Sequence, residues 1–454
     1  MPRNKYYSSY SLGRSQPRSW LRTGLLVVLV GIPLGLLLLE LLVRGAVFVT
    51  GNTNQLEKSL SGSPASAYAL KLEDASGKSY PGLTSSSGEL QVRRSPLLGY
   101  ELVPNQKHKF WQIDSHGFRQ EGDLPLAKPK GEFRIFVIGN STAFGQMASS
   151  NEATLAAKLQ VLLQDRLKAQ AQRPEKFKPA ETPYFAEQVE AIQALPDRLK
   201  EGNYRVITAA TPGYTSGNEL ALLVHRVMAF SPNCVIILNG YEDLRSPSTE
   251  VAREIVNFDR ILQNPSEHYS RYISQQFDQW FSSLYLVKAT RRWVFPASDR
   301  GNLAFKADQL TADDQELKMR IERYRYNLKQ VAKLTSGTQT LVAIQPEITG
   351  KKGVLTADES KILKDLGTEY PARAENAFQE LEAVLQPQEP KKDFPNVKIV
   401  NLYRLYKDYK GQAFLNPIDL NNAANDLLAK KLYEQLQVIF AVQPAPFSNT
   451  DSGN

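Results

Sequence analysis

The sequence predicts an α/β domain built on a doubly wound parallel sheet. Four apolar runs rich in Val and Ile each end at a glycine-containing or polar turn, and segments with helical periodicity lie between them. The runs are FRIFVIG (133–139), YRVITAA (204–210), CVIILNG (234–240) and TLVAIQP (340–346). Strands that alternate with helices are typical of parallel sheets, whose strands are joined by helical crossovers. Ligands bind such sheets at the carboxyl edge.

A membrane-inserting segment precedes this domain in the sequence. Residues 25–39 carry no charge and are followed by Glu40, Arg44 and further apolar residues. The basic residues that precede the run are Arg3, Lys5, Arg14, Arg18 and Arg22. We predict a basic cytoplasmic tail over 1–22 and a transmembrane signal anchor over 23–50, which places the main domain in the periplasm or an equivalent compartment. An uncleaved anchor is favoured over a cleaved signal peptide because no small-residue cleavage site follows. Glu40 and Arg44 are spaced to pair on one helix face.

The overall charge does not indicate a nucleic-acid partner. The chain of 454 residues has a formal net charge of +8, and the five basic residues of the tail account for most of that excess. No basic face is therefore expected on the domain. Cys234 is the only cysteine and lies in an apolar run, which predicts a buried structural thiol and excludes a disulfide within the chain.

The remaining segments divide the chain by composition. The Ser- and Gly-rich residues 51–94 predict a flexible tether, residues 95–440 predict the α/β domain, and residues 441–454 predict a disordered tail. Two insertions, at 168–203 and 245–310, interrupt the alternation of strands and helices. The second insertion is rich in aromatic residues and follows the carboxyl end of a strand. It is interpreted either as a lid over the site or as a peripheral helical excursion.

Two helices carry candidate start signals, and a third closes the domain. Ser149 with Glu152, and Ser216 with Glu219, have the spacing of capping boxes at helix starts. Residues 425–436 predict a terminal helix that packs back on the sheet.

The end of the first strand carries the candidate nucleophile. The run FRIFVIG stops at a glycine and is followed at once by Asn140, Ser141 and Thr142. A buried strand that ends in a turn of small residues delivers a side chain to the carboxyl edge of a parallel sheet. Ser141 is therefore a candidate nucleophile. The alternative is that Ser141 only caps a turn, as short polar side chains commonly do.

Four motifs occur in order along the chain, GNSTAFG, PGYTSGNEL, NGYEDL and NPIDLNNAAND, preceded by the lead-in DSHGFRQ. Together they resemble the SGNH/GDSL hydrolase superfamily, in its membrane-anchored bacterial type. The resemblance covers roughly residues 95–440 and implies a flavodoxin-like sheet of the SGNH-hydrolase type. It also implies the chemistry of an esterase or O-acyltransferase, in which a serine is activated by a histidine and an oxyanion hole stabilises the intermediate.

The resemblance assigns roles to individual residues of the first two motifs. Ser141 matches the nucleophile, and Gly213 matches the glycine whose N–H contributes to the oxyanion hole. Asn140 stands where the family has the aspartate of its GDS motif, a change that keeps the size of the side chain and removes its charge.

The last two motifs depart from the catalytic pattern. Glu242, followed by Asp243, stands where the family has the asparagine that donates to the oxyanion, and an ionised glutamate would repel that anion. The late D-x-x-H pattern is also replaced, since Asn416 occupies the position of the acid and Asp419 that of the histidine. These replacements predict a catalytic site that is degenerate.

Two kinds of side chain could substitute for the missing catalytic residues, namely another histidine or the carboxylates near Ser141. His268 in the second insertion is the best stand-in for the missing histidine, because lids can deliver groups to a site. The other histidines of the chain are His108, His116 and His225. If the motifs converge as in the family, Glu242, Asp243 and Asp419 would either bind a hard cation or hold one acid of raised pKa. Solvated carboxylates at a degenerate site are the simpler account, and no metal or cofactor is expected.

Two functions follow from these observations. The first is a membrane-anchored SGNH/GDSL hydrolase-like protein of the esterase or O-acyltransferase class at the cell envelope, catalytically impaired by the replaced residues. The second is a pseudoenzyme that is fully non-catalytic and binds an envelope glycan, a lipid or a protein partner through the old pocket. The membrane, through one N-terminal helix, is the expected partner in both, and the oligomeric state is left open.

Overall fold

The computed structural model describes residues 30–50, 64–74, 76–78, 88–253, 284, 310–385 and 396–446. The chain divides into two compact units. The first comprises Met1–Leu60 with Gln276–Ser298, and the second comprises Ser61–Gln275 with Asp299–Asn454.

In the first unit, the described residues form one helix, α1 (Ile32–Val49). Arg44 Nε donates to Glu40 Oε1 at 2.8 Å, so the predicted pairing one turn apart is confirmed. Among the helices that the structure describes, none is long and apolar enough to cross a bilayer. The basic tail and the first residues of the predicted anchor, 1–29, lie outside the described residues, so the anchor stays a prediction.

The second unit is built on a five-stranded parallel sheet, which confirms the predicted α/β class. Its strands are β4 (Glu132–Gly139), β6 (Asn203–Ala210), β7 (Cys234–Asn239), β8 (Gln339–Ile344) and β9 (Val397–Asn401). The strand order is β6-β4-β7-β8-β9, with every neighbouring pair parallel. Numbered along the chain, this is the order 2-1-3-4-5 of flavodoxin-like sheets.

The central strands of the sheet are buried, which explains their apolar sequences, whereas an edge strand was missed because it is less apolar. Every residue of β7 is buried, and burial raises the pKa of the Cys234 thiol to about 12, as expected for a structural cysteine. The fifth strand, β9, was not predicted. It lies at the edge of the sheet, all its residues are only half-buried, and Lys398 interrupts its apolar pattern.

Helices cover the sheet in two groups. They are α3 (Ser141–Phe144), α4 (Leu155–Gln172), α5 (Ala186–Gln193), α6 (Ser216–His225), α7 (Tyr241–Arg245), α8 (Asp314–Leu334), α9 (Ala357–Leu366), α10 (Tyr370–Leu385) and α11 (Asn422–Ile439). The predicted terminal helix is α11, which packs on α4, while α8 packs on α6, α7 and α10.

The helix starts differ from the predicted caps. Thr154 caps α4, and its side chain accepts from the N–H of Ala157, so Ser149 does not start that helix. Thr215 caps α6, in a capping box with Asn218. Glu219 is instead buried and accepts a hydrogen bond from Asn239.

The predicted tether is wrong for the part that the structure describes. A short helix, α2 (Pro64–Tyr68), is followed by a sheet of three strands, β1 (Leu70–Glu73), β2 (Leu90–Ser95) and β3 (Gly99–Leu102). Tyr68, Leu72 and Leu90 are fully buried in the core. These few apolar residues anchor the segment, although its Ser and Gly content is typical of a linker.

The predicted boundaries of the tail and the insertions also shift. A short strand, β10 (Ala441–Val442), pairs with β5 (Arg198–Leu199), so the ordered chain continues past residue 440. The first insertion begins inside α4 and contains α5. Most of the second insertion, residues 254–283 and 285–309, lies outside the described residues. Its interpretation as a lid or as a peripheral helical excursion therefore stays a prediction.

Candidate functional site

The candidate nucleophile lies at the carboxyl edge of the sheet, as predicted. Strand β4 ends at Gly139, and Asn140 caps α3 by accepting the N–H of Thr142 at 3.1 Å. Ser141 is the first residue of α3, and only 5% of it is exposed. Asn140 therefore has the local structural role of a helix cap, a role that an asparagine fills as well as an aspartate.

Asp419 is brought to Ser141 by the loop between β9 and α11. The carboxyl group is completely buried, and its Oδ2 accepts from Asn416 Nδ2 at 2.6 Å. Asn416 Oδ1 in turn accepts the backbone N–H of Asp419 at 2.7 Å, which fixes the pair in one geometry. Asn416 and Asp419, to which the resemblance assigns the positions of acid and base, thus form one hydrogen-bonded pair beside Ser141.

The surroundings of Asp419 change its acidity. Burial raises the pKa of its carboxyl to about 7, although interactions with Asn416 and with the Ser141 hydroxyl lower it and the charge of Glu242 adds to the rise. Oδ1 of Asp419 has no aligned donor in the part of the chain that the structure describes. The expectation that one carboxyl near Ser141 has a raised pKa is met by Asp419.

A network of amides joins the nucleophile turn to the Asp419 loop. Gln345, directly after β8, accepts from Asn140 Nδ2 at 2.6 Å and donates to Thr142 Oγ1 at 3.0 Å. Thr142 Oγ1 donates to the carbonyl of Ile418 at 3.0 Å. Gln345 was not predicted as a site residue, although its place at the end of the run TLVAIQP puts it at the same edge of the sheet.

Glu242 is not an isolated negative charge. It lies in the first turn of α7, where Arg245 Nη1 contacts both of its oxygens at 3.1 Å and Arg253 Nη1 donates to Oε2 at 2.7 Å. Burial would raise the pKa of Glu242, but the two guanidinium groups outweigh burial and hold it below its ordinary value. The glutamate is ionised and its charge is balanced, so the simple repulsion expected for an oxyanion does not apply. Neither arginine was predicted.

Asp243 faces a different set of partners from its neighbour. Its Oδ2 accepts the N–H of Ser216 at 3.0 Å, its Oδ1 accepts the hydroxyl of the same residue at 2.5 Å, and Arg323 lies 3.9 Å away. Burial raises the pKa of Asp243 against these contacts. Asp243 therefore has a structural role at the start of α6.

The carboxylates do not form a cation site within the described ranges. No group of three or more His, Cys, Asp or Glu side chains suited to a metal ion occurs among them. Glu242, Asp243 and Asp419 each have their own partners, and these partners are arginine, serine and asparagine side chains.

The described histidines lie in structural surroundings. His225 is exposed at the end of α6, as expected for a surface helix residue. His116 Nε2 contacts the carbonyl of Leu124 at 3.0 Å, and His108 pairs with Glu89 at 3.2 Å. His268, the preferred stand-in for the catalytic histidine, lies outside the described residues.

No family model and no curated protein matches the chain, whereas several solved structures are similar to it. A lipase/acylhydrolase from Enterococcus faecalis is similar in structure, with 14% identity, a TM-score of 0.31, and coverage of 69% of this chain and 98% of that one. An acetylxylan esterase from Geobacillus stearothermophilus has 12% identity, a TM-score of 0.28, and coverage of 67% and 94%.

A third structure is similar at the same level. The acetyl xylan esterase AlAXEase has 10% identity, a TM-score of 0.29, and coverage of 67% of this chain and all of its own. Similarity of this degree identifies neither a family nor an activity for the chain.

Proposed function

We propose that this protein is an SGNH/GDSL hydrolase-like protein of the esterase or O-acyltransferase class, with Ser141 as nucleophile and reduced catalytic power. The observation that carries the proposal is the placement of Ser141, Asp419 and Asn416 together at the carboxyl edge of the sheet. A buried carboxylate with a pKa near 7 is matched to proton transfer at neutral pH. Asp419 would take the proton of the Ser141 hydroxyl as that oxygen attacks an ester carbonyl.

Activity is expected to be low because Asp419 replaces the usual base with a shorter group. Histidine can accept a proton on one nitrogen while the other is held by an acid, which stabilises the resulting cation. The Asp419 carboxyl has no such relay, since Asn416 only donates to it. A second function, a non-catalytic binding protein for an envelope glycan, lipid or protein, is favoured by the near-complete burial of Ser141 and Asp419.

Labelling of the full-length chain with a fluorophosphonate probe tests the proposal. We expect slow labelling that is lost in Ser141→Ala and retained in Ser149→Ala, an exposed serine eight residues further on. Turnover of p-nitrophenyl acetate should follow the same pattern. Because Asp419 acts as a base only when ionised, the labelling rate should rise with pH through about 7 and level off above it.

The outcome that would reject the enzyme is a folded, full-length chain that is labelled no faster than Ser141→Ala at any pH. The binding function would then be the better account. Labelling of Ser141 with no dependence on pH near 7 would keep the nucleophile and remove Asp419 as its base.

We propose also that residues 23–50 anchor the domain at the envelope, with the N-terminus in the cytoplasm. The support is the long apolar run flanked by basic residues. The full-length chain should sediment with membranes and resist extraction at alkaline pH, whereas a chain lacking 23–50 should not. Release of the full-length chain by alkaline extraction would reject the anchor.

A further inference from the structure

Residues 251–253 pack against the motif PGYTSGNEL, which spans residues 212–220. Asn218 Oδ1 accepts the backbone N–H of Arg253 at 2.8 Å, and Asn218 Nδ2 donates to the carbonyl of Arg253 at 2.8 Å and to that of Leu98 at 2.9 Å. Asn218 is completely buried. One amide side chain thus satisfies both backbone groups of Arg253, which fixes this residue as a neighbouring strand would.

Two glycines make room for the same segment. A Cβ atom on Gly217 would lie 2.0 Å from the carbonyl oxygen of Val251, and one on Gly99 would lie 2.3 Å from the carbonyl oxygen of Arg253. Such distances are far below any van der Waals contact, so side chains at these two positions would displace the segment. Gly99, Gly217 and Asn218 have no part in the proposed reaction as described so far, and their shared effect is to hold Arg253.

The side chain of Arg253 contacts Glu242 and the carbonyl of Gly213, which are two of the three residues that the resemblance assigns to the oxyanion hole. Its Nη1 donates to Glu242 Oε2 at 2.7 Å and to the carbonyl of Gly213 at 3.3 Å, and its Nη2 donates to Ser246 Oγ at 2.6 Å. The side chain is 14% exposed. Burial lowers the pKa of the guanidinium, but nearby Glu242 and Glu250 outweigh that effect, so Arg253 stays cationic.

We propose that Arg253 is a catalytic residue that stabilises the oxyanion in place of the asparagine that Glu242 replaces, with Glu242 as its positioning residue. The inference rests on the proposed function and names the group that makes that function chemically feasible. An ionised glutamate at this position would repel the oxyanion unless a cation lay beside it. Glu242 and the carbonyl of Gly213 hold the guanidinium of Arg253 beside these positions, where its positive charge would stabilise an oxyanion.

Ser141 Oγ bonds to the carbonyl carbon of an ester, its proton passes to the Asp419 carboxylate, and the carbonyl π pair moves onto the oxygen. The guanidinium of Arg253 stabilises that negative oxygen. When the carbonyl re-forms, the alkoxide leaves and takes the proton from Asp419. Water, or an acceptor hydroxyl in a transferase, then repeats the sequence on the acyl-serine.

The test compares Arg253→Gln and Arg253→Lys with the full-length protein. Arg320→Gln is the matched control, because Arg320 is similarly buried but pairs with Glu316 at 2.7 Å and donates to the carbonyl of Leu244, whereas Arg253 pairs with Glu242. Measurements are the fluorophosphonate labelling rate, kcat and KM for p-nitrophenyl acetate, and thermal unfolding. Loss of one oxyanion donor lowers kcat by about 10² to 10³-fold.

We expect Arg253→Gln to lower kcat and the labelling rate by about that factor while KM stays near that of the unsubstituted protein. Arg253→Lys should keep part of the rate because it keeps the charge, and it provides the readout if the glutamine variant does not fold. Arg320→Gln should lower the unfolding temperature without the fall in kcat. A merely structural Arg253 would behave like Arg320.

Two results would overturn the role of Arg253, and only one of them would also reject the proposed function. If the unsubstituted protein reacts through Ser141 and Arg253→Gln and Arg253→Lys react at the same rate, Arg253 is not the donor and the proposed function stands. If the unsubstituted protein reacts no faster than Ser141→Ala, the proposed function fails and the role of Arg253 fails with it.

Discussion

Restoring the family pattern with Asn416→Asp and Asp419→His is expected to raise the hydrolysis of p-nitrophenyl acetate by about 10² to 10⁴-fold, the usual contribution of a positioned general base. The hydrogen bond from Thr142 to Ile418 already joins the turn of Ser141 to the 416–419 loop. The new histidine would therefore appear next to the nucleophile, with an aspartate three residues before it to hold its second nitrogen.

The single variant Asp419→His and a triple variant provide the controls. Asp419→His alone should gain less than the pair, because Asn416 cannot stabilise an imidazolium as a carboxylate does. Adding Ser141→Ala to the pair should abolish the gain. A larger side chain at a fully buried position costs about 1 to 3 kcal/mol of folding free energy, so thermal unfolding is measured alongside. A folded pair with no gain would show that the nucleophile or the oxyanion site, and not the base, limits the reaction.

Asp419→Asn is expected to stabilise the fold above pH 7 while it removes the proposed base. The folded protein holds the proton of Asp419 up to about pH 7, whereas the unfolded chain loses it near the ordinary value of 3.8. Between these values unfolding releases a proton, so the free energy of unfolding falls as pH rises, and the loss is complete above pH 7. The difference between the two pKa values corresponds to about 4 kcal/mol. An asparagine does not titrate and avoids this loss.

Denaturant unfolding at pH 8 and at pH 4 measures this effect. The gain from Asp419→Asn should be largest at pH 8 and should shrink towards pH 4, where the folded carboxyl is protonated. Asp408→Asn, an exposed carboxyl in the same loop region, should change little at either pH. Equal destabilisation by Asp419→Asn at both pH values would mean that Asp419 is ionised in the folded protein.

The sequence predicted the centre of the fold better than its margins. Strand β4 was predicted to within a residue because its residues 135–138 are a continuous apolar run that is buried on both faces. Strand β9 escaped because an edge strand can be half-buried and carry Lys398. The segment around Tyr68 and Leu90 escaped because a Ser- and Gly-rich composition conceals its few buried apolar residues, which in the described part of 51–94 are Ala67, Tyr68, Leu72, Leu90 and Val92.

The same contrast applies to the candidate site. The sequence alone placed Ser141 at the carboxyl edge of the sheet. It was the resemblance that implied Asn416 and Asp419 beside it. Arg253 could not be expected there. Isolated arginines after a helix are normally solvated, and this one is buried only because Glu242 and Asn218, from other motifs, supply its partners.

The hydrogen bond from Thr142 to Ile418 joins residues that are 276 positions apart in the chain. Contacts of such long range form late and slow the folding of a domain, because the intervening chain must be ordered before they can close. The two halves of the site thus exist as a unit only once the last strand and helix have docked. During synthesis, the chain would carry Ser141 without its partner, and any reactivity of that serine would begin only when folding is complete.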